Sequence, residues 1–293
     1  MTDLGQAVAV ITGAGSGIGR ALAQELALHG AKLALADVDG TALEETRKTL
    51  EKTQVETYVV DVSDPASVES FVRHVEKDFG RVSLLINNAG VALYGTFAEI
   101  SIAEMDWLMR INFWGVVHGC KFFIPLLQRE PEAHIVNVSS VFGLIAPAGQ
   151  TAYAASKFAV RGFTQALRQE LIDANSNISV TCVHPGGIRT SIADNARAGA
   201  ATRVDDQMEA RERFNKVVRT TPEAAARTIV NGIMRNQARV LIGPDAYQID
   251  LFQRLMPVRC GSVLAKVMEK RAPRKKKAPS VIGAATKGES AGS

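Results

Sequence analysis

Seven short apolar runs, separated by longer amphipathic stretches, constrain the fold of this chain more than any other feature. The runs occupy residues 7–12, 32–37, 56–62, 83–90, 134–140, 178–186 and 239–243. Segments between them, such as GRALAQELALHG, have the apolar spacing of helices. Short apolar strands joined by helices indicate a parallel sheet with both faces covered. We therefore predict an α/β fold, in which a single doubly wound domain contains a seven-stranded parallel sheet with helices on both faces.

The pattern predicts one domain over residues 1–265, followed by a basic, disordered tail over 271–293. Within the domain, residues 188–221 are polar and rich in Ala and Arg, and they lie between two predicted strands. A segment of this kind in an α/β protein often forms a mobile lid. Residues 246–270 have helical periodicity and form a C-terminal extension. The tail is mostly Lys, Ala, Gly and Ser and cannot bury enough apolar surface to order itself.

Charge and cysteine content exclude several classes of protein. From residue 266 to the C-terminus, eight Lys/Arg and two Glu give +6, so the net charge of +4 leaves about −2 for the rest of the chain. The body therefore has no basic surface that predicts a nucleic-acid partner. Three separated cysteines without CxxC spacing predict reduced, buried thiols and no metal site. With no secretion signal and no apolar run of ~18 residues, we expect a cytoplasmic protein.

A glycine-rich segment, VITGAGSGIGRALAQEL, links the first predicted strand to the first helix. Gly13, Gly17 and Gly19 have the spacing GxxxGxG rather than GxGxxG. In such a turn, backbone N–H groups can approach a pyrophosphate, whose charge then lies at the positive end of the helix. A tight turn without a ligand is the alternative, but the position directly after the first strand favours a dinucleotide in a Rossmann fold.

An acidic residue ends the second predicted strand. Asp37 follows Gly19 by 18 residues, where a carboxylate can accept hydrogen bonds from an adenosine ribose. The same charge repels a 2′-phosphate, and no Arg or Lys follows it immediately. The sequence therefore favours NAD over NADP as the cofactor.

Further motifs follow the glycine loop in a fixed order. They are Asp61 in VVDVSD, NNAG at 87–90, Asn112 in RINFWG, NVSS at 137–140, Tyr153-xxx-Lys157 and HPGGIRT at 184–190. Together with TGxxxGIG they resemble the short-chain dehydrogenase/reductase family over about residues 5–245. The resemblance implies a catalytic domain that transfers a hydride between a nicotinamide cofactor and an alcohol or ketone.

The resemblance also implies the catalytic residues. The matching positions are Asn112, Ser140, Tyr153 and Lys157, where Ser140 is preferred to Ser139 because it lies 13 residues before the tyrosine. By resemblance, Ser140 binds the reacting oxygen and Lys157 also holds the nicotinamide ribose, while Asn112 holds a water that relays protons. A satisfied core amide is the alternative for Asn112.

The spacing of Tyr153 and Lys157 places both on one face of a helix. A cation at ~6 Å in a medium with an effective dielectric constant of ~20 favours a phenolate by roughly 3 kcal/mol, or about two pKa units. From the ordinary pKa of ~10, this predicts a Tyr153 pKa of about 8. The phenol then serves as a base toward an alcohol or as an acid toward a ketone.

Cofactor contacts implied by the resemblance extend over five loops. They are Gly13, Ser16, Gly17, Ile18, Gly19, Asp37, Asp61, Val62, Asn88, Gly90, Tyr153, Lys157, Ile188 and Thr190. Oligomers are common in this family, so the resemblance also implies a homodimer or homotetramer that forms through the helices of Asn112 and Tyr153.

The sequence constrains the substrate and the partners less than it constrains the fold and the cofactor. Apolar segments at 90–97 and 140–150 predict a secondary alcohol or ketone with apolar bulk. The alternatives are an NADP-dependent ketone reductase or a catalytically silent dinucleotide-binding regulatory protein. In the C-terminal extension, Leu251, Phe252, Leu255 and Met256 precede a lysine cluster. This segment fits either a subunit interface or a peripheral contact with an anionic membrane.

Overall fold

The computed structural model describes residues 4–50, 52–190, 192 and 194–263. The strands are β1 (Val8–Thr12), β2 (Lys32–Asp37), β3 (Val55–Val59), β4 (Leu84–Asn87), β5 (Leu93–Tyr94), β6 (Ala133–Val138), β7 (Ile178–Pro185), β8 (Arg197–Ala198) and β9 (Arg239–Ile242). The α-helices are α1 (Gly17–Leu28), α2 (Gly40–Lys48), α3 (Pro65–Phe79), α4 (Ile102–Met109), α5 (Gly115–Leu127), α6 (Thr151–Asp173), α7 (Val204–Val217), α8 (Pro222–Met234) and α9 (Pro244–Leu255). A π-helical turn, Arg110–Trp114, joins α4 to α5, and a 3₁₀ turn, Val141–Gly143, follows β6.

Seven strands form one parallel sheet in the order β3-β2-β1-β4-β6-β7-β9. Every residue of β1 and β6 is buried, as expected for strands that are covered on both faces. Side chains alternate between the two faces, so Ala9 and Ile11 pack with α1 and α8 whereas Val10 packs with α3 and α5. The prediction of a doubly wound Rossmann domain is confirmed.

The order of the strands determines where a ligand can bind. The chain runs outward from β1 to β3, then crosses back to β4 on the other side of β1. Ligands of open α/β sheets bind at the carboxyl ends of the strands where the order reverses. Here that position lies between β1 and β4, next to the glycine loop.

Some predicted boundaries were wrong. The third strand ends at Val59 rather than at residue 62, and the fourth ends at Asn87 rather than at 90. A second sheet, in which β5 pairs with β8, was not predicted. It attaches the 188–221 segment to the loop after β4, through bonds from Arg197 N to Ala92 O (3.0 Å) and from Gly199 N to Tyr94 O (2.8 Å).

The C-terminal extension contains α9, which packs on β9 and on the 3₁₀ turn. Within it, Leu251 and Leu255 are exposed, whereas Phe252 and Met256 are half-buried. The remaining extension, 264–270, and the predicted tail, 271–293, lie outside the described residues. In the described part of the chain, no helix has the length and apolar character that crossing a membrane requires.

Candidate active site

The glycine loop adopts backbone conformations that side chains would obstruct. Gly13 has φ of 66°, in the left-handed region, and a Cβ there would lie 2.8 Å from Ala89 Cα. At Gly19 a Cβ would overlap the carbonyl oxygen of Gly13. The loop therefore brings the start of α1 against the end of β1.

The N-terminus of α1 presents donors for an anion. Ser16 is its N-cap, but the Ser16 side chain makes no capping hydrogen bond, and the first turn carries no acidic residue. The early N–H groups of a helix have no partner within the helix and lie at its positive end. This donor set, which includes the backbone at Gly17, Ile18 and Gly19, fits the pyrophosphate of a dinucleotide.

Asp37 lies beside the same loop at the end of β2. One carboxylate oxygen accepts the N–H of Gly15 at 2.9 Å, and the other accepts the N–H of Asp39 at 3.1 Å. Arg20 is directed away from the carboxylate, because its guanidinium binds Gly15 O at 2.6 Å and Glu45 at 3.0 Å. The negative charge of Asp37 thus lies at the edge of the cofactor cleft.

Asn88 connects β4 to the glycine loop. Its side-chain amide donates to the carbonyl oxygens of Thr12 (3.0 Å) and Gly13 (3.1 Å). In return, the Thr12 hydroxyl accepts the N–H groups of Asn88 and Ala89, both at 3.1 Å. Asn88 therefore positions the loop. A Cβ at Gly90 would lie 3.2 Å from Asn112 Oδ1 and 3.4 Å from Lys157 Nζ, so Gly90 allows the NNAG turn to approach two of the predicted catalytic residues closely.

Tyr153 and Lys157 share one face of α6, as predicted. Lys157 Nζ lies 5.7 Å from the centre of the Tyr153 ring and donates a hydrogen bond to Val138 O at 3.1 Å. Lys157 is buried, whereas Tyr153 is partly exposed. The ammonium and the phenol are therefore neighbours at the end of β6.

The predicted acidity of Tyr153 is wrong for the protein without a ligand. Burial raises the pKa of Tyr153 to about 12, although the hydrogen bond with the Ser140 side chain acts in the opposite direction. Burial also lowers the pKa of Lys157 to about 8. The sequence-based value of about 8 for the phenol included the attraction of the cation but omitted the cost of removing a phenolate from water.

The two serines of NVSS have different environments. The Ser140 side chain lies near enough to the phenol to act toward a lower Tyr153 pKa, and its own hydroxyl accepts the N–H of Phe142 at 3.1 Å. Ser139 instead donates to Lys157 O at 2.8 Å. Buried His184 has Nδ1 at 3.0 Å from Ser140 O. The structure thus places Ser140, and not Ser139, beside the phenol.

Asn112 lies in the π-helical turn and is fully buried. Its Oδ1 accepts the N–H of Val91 at 2.8 Å, and its Nδ2 donates to Val91 O at 3.0 Å and to Ser156 Oγ at 3.2 Å. Both amide hydrogens are therefore used inside the protein. The side chain ties the π-helical turn to the loop after β4 and to α6.

The remaining predicted cofactor residues make contacts within the loops that carry them or with neighbouring elements. Asp61 accepts the N–H and hydroxyl of Ser63 at 2.9 and 2.7 Å, and Val62 O contacts His118 Nδ1 at 3.0 Å. Buried Ile188 forms a β-bridge with Thr220. Thr190 lies against Gly17, where a Cβ would come 3.1 Å from Thr190 Cγ2, and both residues line a cavity of about 280 Å³ beside the glycine loop.

Three contacts at the site were not predicted from the sequence. They involve Thr12, which holds the NNAG turn, Ser156, which binds Asn112, and the carbonyl of Val138, which binds Lys157. A hydroxyl at the end of a buried strand is a signal that sequence reasoning could have used for Thr12. The Val138 contact has no sequence signal, because every residue carries a carbonyl.

Known proteins share this sequence pattern. A family model described as short chain dehydrogenase matches residues 7–201. The putative oxidoreductase SadH of Mycobacterium tuberculosis is 46% identical over 252 residues, which are 85% of this chain and 90% of that protein. The CLA biosynthesis dehydrogenase/reductase of Lactiplantibacillus plantarum is 38% identical over 195 residues, covering 66% of this chain and 68% of that protein. The chain therefore belongs to the short-chain dehydrogenase/reductase family of NAD(P)-dependent oxidoreductases.

Solved structures agree with this assignment. A short-chain dehydrogenase/reductase from Burkholderia phymatum, in complex with NAD, superposes with a TM-score of 0.81 at 32% identity, covering 95% of this chain and all of that one. Levodione reductase superposes with a TM-score of 0.73 at 30% identity, covering 83% and 97%. An alcohol dehydrogenase from Thermococcus sibiricus, complexed with 5-hydroxy-NADP, gives a TM-score of 0.68 at 25% identity, covering 81% and 95%.

Proposed function

We propose that this chain interconverts a secondary alcohol and a ketone, with NAD as the preferred cofactor. The observation that carries the proposal is the group of Ser140, Tyr153 and Lys157 at the end of β6, which β4 separates from β1 and its glycine loop. A bound nicotinamide supplies the hydride chemistry. The protein must then bind the reacting oxygen and move one proton.

Each of the three residues has a task that its surroundings support. The Tyr153 hydroxyl gives its proton to the carbonyl oxygen in reduction and takes it from the alcohol in oxidation. Ser140, whose side chain lies beside the phenol, holds the same oxygen. Lys157 places a positive charge 5.7 Å from the ring, which favours the phenolate whenever the phenol gives up its proton.

The relaying water that the resemblance assigns to Asn112 must be bound by a group other than the Asn112 side chain. Both hydrogens of its side-chain amide and its Oδ1 are bonded to Val91 and Ser156. We infer that the side chain positions the π-helical turn, and that any relaying water is bound by backbone groups of that turn. The functional importance of π-helical turns elsewhere is consistent with this role.

The preference for NAD rests on Asp37. Its carboxylate lies 2.9 Å from Gly15 N, so a 2′-phosphate near this loop would meet a negative charge. We predict that Asp37→Asn lowers the ratio of kcat/KM for NAD to that for NADP at least about tenfold, since one like-charge contact is removed. Asp39→Asn is the matched control, because the side-chain oxygen of the introduced asparagine can still accept the N–H groups of Thr41 and Ala42 at the start of α2. Equal ratios in Asp37→Asn and the unmodified protein would contradict the assignment.

The substrate is proposed to have apolar bulk. Tyr153 packs against the apolar cluster of Leu93, and Phe142, which packs against the cluster of Leu144, meets the Tyr153 ring edge-on at 6.1 Å. The test is a panel of secondary alcohols that range from small polar diols to lipid-like, steroid-like and aromatic alcohols. Formation of reduced nicotinamide is followed by absorbance with NAD and with NADP. We expect the highest kcat/KM with NAD and an apolar alcohol, and faster oxidation of the small diols would refute the substrate class.

A further inference from the structure

His184 lies near the carboxyl end of β7 and is fully buried next to the backbone of the proposed catalytic serine. Its Nδ1 is 3.0 Å from the carbonyl oxygen of Ser140. A carbonyl oxygen can only accept a hydrogen bond, so Nδ1 carries the hydrogen and Nε2 holds a lone pair. Burial lowers the pKa of His184 to about 4, so the ring is neutral near pH 7 and keeps this tautomer.

The second ring nitrogen makes an imidazole costly at this position. Within the described part of the chain, His184 Nε2 is buried and has no hydrogen-bond partner. A buried acceptor without a donor loses its bonds to water and destabilises the fold. An apolar side chain of similar size would avoid this cost, so packing alone does not explain an imidazole here. What the ring contributes is the hydrogen bond from Nδ1 to Ser140.

That hydrogen bond extends the connection between β6 and β7 beyond the backbone ladder. The ladder reaches a bond from Ser139 N to Val183 O at 2.8 Å, one residue before Ser140. Pro185 is the next residue of β7 in position to donate to β6, but it has no N–H. The side chain of His184 therefore supplies the link from β7 to the Ser140 backbone that the ladder cannot provide.

Two further contacts fasten the same segment to α6, the helix that carries the proposed catalytic tyrosine. Ser139 Oγ donates to Lys157 O at 2.8 Å, and the Arg161 guanidinium donates to Gly143 O at 3.2 Å. These bonds hold the residues on either side of Ser140. The Ser140 carbonyl also accepts the N–H of Gly143 at 2.9 Å, so its second bond, from the imidazole, holds the serine on the sheet.

We propose that His184 is a positioning residue for Ser140, whose carbonyl it holds so that the serine hydroxyl stays beside the Tyr153 phenol. The Ser140 hydroxyl oxygen accepts the N–H of Phe142 at 3.1 Å, which leaves its hydrogen available to the reacting oxygen of the substrate. His184 acts through Ser140 and exchanges no proton with the substrate. This role rests on the proposed function, since the reacting oxygen is that of the alcohol or ketone.

The test compares three replacements of His184 in the full chain, with NAD and the best alcohol of the panel. Asparagine places an amide nitrogen where Nδ1 lies, glutamine places one near Nε2, and leucine removes both nitrogens. We expect His184→Asn to keep kcat within about threefold, and His184→Gln and His184→Leu to lower kcat at least about tenfold, because a small displacement of a positioned group is costly. KM for NAD should change less than about twofold, since the glycine loop is unaltered.

A second readout needs no turnover. In protein isotope-labelled at the tyrosine ring carbons, the NMR resonance of Tyr153 Cζ reports the surroundings of the phenol, and its loss in Tyr153→Phe assigns it. This resonance should move in His184→Gln and His184→Leu and stay in place in His184→Asn. If the unmodified chain oxidises no alcohol of the panel, the proposed function fails, but the resonance still tests the positioning.

His134→Leu is the matched control. His134 is equally buried on the adjacent strand β6, but its Nε2 lies 2.7 Å from Thr181 Oγ1, near the opposite end of the strand from Ser140. This variant should keep both kcat and the Tyr153 resonance. Circular dichroism identifies any variant that does not fold, and if His184→Leu does not, the comparison of His184→Asn with His184→Gln decides. Equal behaviour of those two variants overturns the proposal, because the ring then serves only to fill space.

Discussion

Burial disfavours the charged forms of both Tyr153 and Lys157. Burial raises the pKa of the phenol to about 12 and lowers the pKa of the ammonium to about 8. Each charged form is therefore unfavourable in the free protein, and the pair stabilises charge only when both residues are ionised. The Tyr153 phenol is therefore neutral in the free protein, and its deprotonation is the step that depends on pH.

Replacement of Lys157 tests this coupling. Below the pKa of the phenol, the phenolate fraction rises about tenfold per pH unit, so kcat/KM for alcohol oxidation should rise with pH across the neutral range. Lys157→Met should lower kcat/KM roughly 100-fold near neutrality, because losing the cation raises the phenol pKa by about two units. Lys121→Met, at an exposed position of α5, is the control. Superimposable pH profiles for Lys157→Met and the unmodified protein would disprove the coupling.

The π-helical turn at Arg110–Trp114 is the element that brings three segments of the site together. The Asn112 side chain within this turn hydrogen-bonds both the N–H and the C=O of Val91, and it also donates to the Ser156 hydroxyl. Asn177 has a comparable role at the other end of the sheet, where its amide donates to Leu127 O and Glu130 O. Replacing each of these two side-chain amides in turn therefore separates an effect on stability from an effect on activity.

We predict that Asn112→Ala and Asn177→Ala both lower the free energy of unfolding, by about 3 kcal/mol for Asn112, since buried backbone groups lose their partners. Only Asn112→Ala should also lower kcat. Urea denaturation and steady-state kinetics measure the two effects. If both variants retain full activity while losing stability, Asn112 is a structural amide without influence on the reacting groups.

The elements that contain a run of consecutive apolar residues could be predicted from the sequence. Those that form only through contacts between residues far apart in the chain could not. β1 and β2 could be located because each contains an uninterrupted apolar run. The pair β5 and β8 consists of two residues each, which is too short for a periodic pattern. Tyr153 and Lys157 were placed on one helical face from spacing alone, but the raised Tyr153 pKa depends on burial by residues far away in the chain.

At the scale of the whole molecule, two buried histidines couple folding to pH. His134 on β6 and His184 on β7 are fully buried. Burial lowers the pKa of each imidazole to about 4. In the unfolded chain these groups bind protons near pH ~6.5, so between about 6.5 and 4 the unfolded state holds more protons than the folded state. Stability is therefore lost as pH falls through this window.

At the acid end of this pH window, the free energy of unfolding should be lower by about 3 kcal/mol per histidine. Urea denaturation at a series of pH values should show it, and His134→Gln should reduce the pH dependence by about half. A free energy of unfolding that does not change between pH ~6.5 and ~4 would mean that these imidazoles are not held neutral.

The most direct test of the account is the rate of reduced-nicotinamide formation by Tyr153→Phe with the best alcohol of the panel. Tyr58→Phe is the matched control, because it removes a phenol hydroxyl that bonds only Asp78, at 2.8 Å, among the described contacts. The account predicts that Tyr153→Phe loses about 100-fold or more of kcat while cofactor binding is retained, and that Tyr58→Phe keeps its rate. Undiminished turnover in Tyr153→Phe would contradict it.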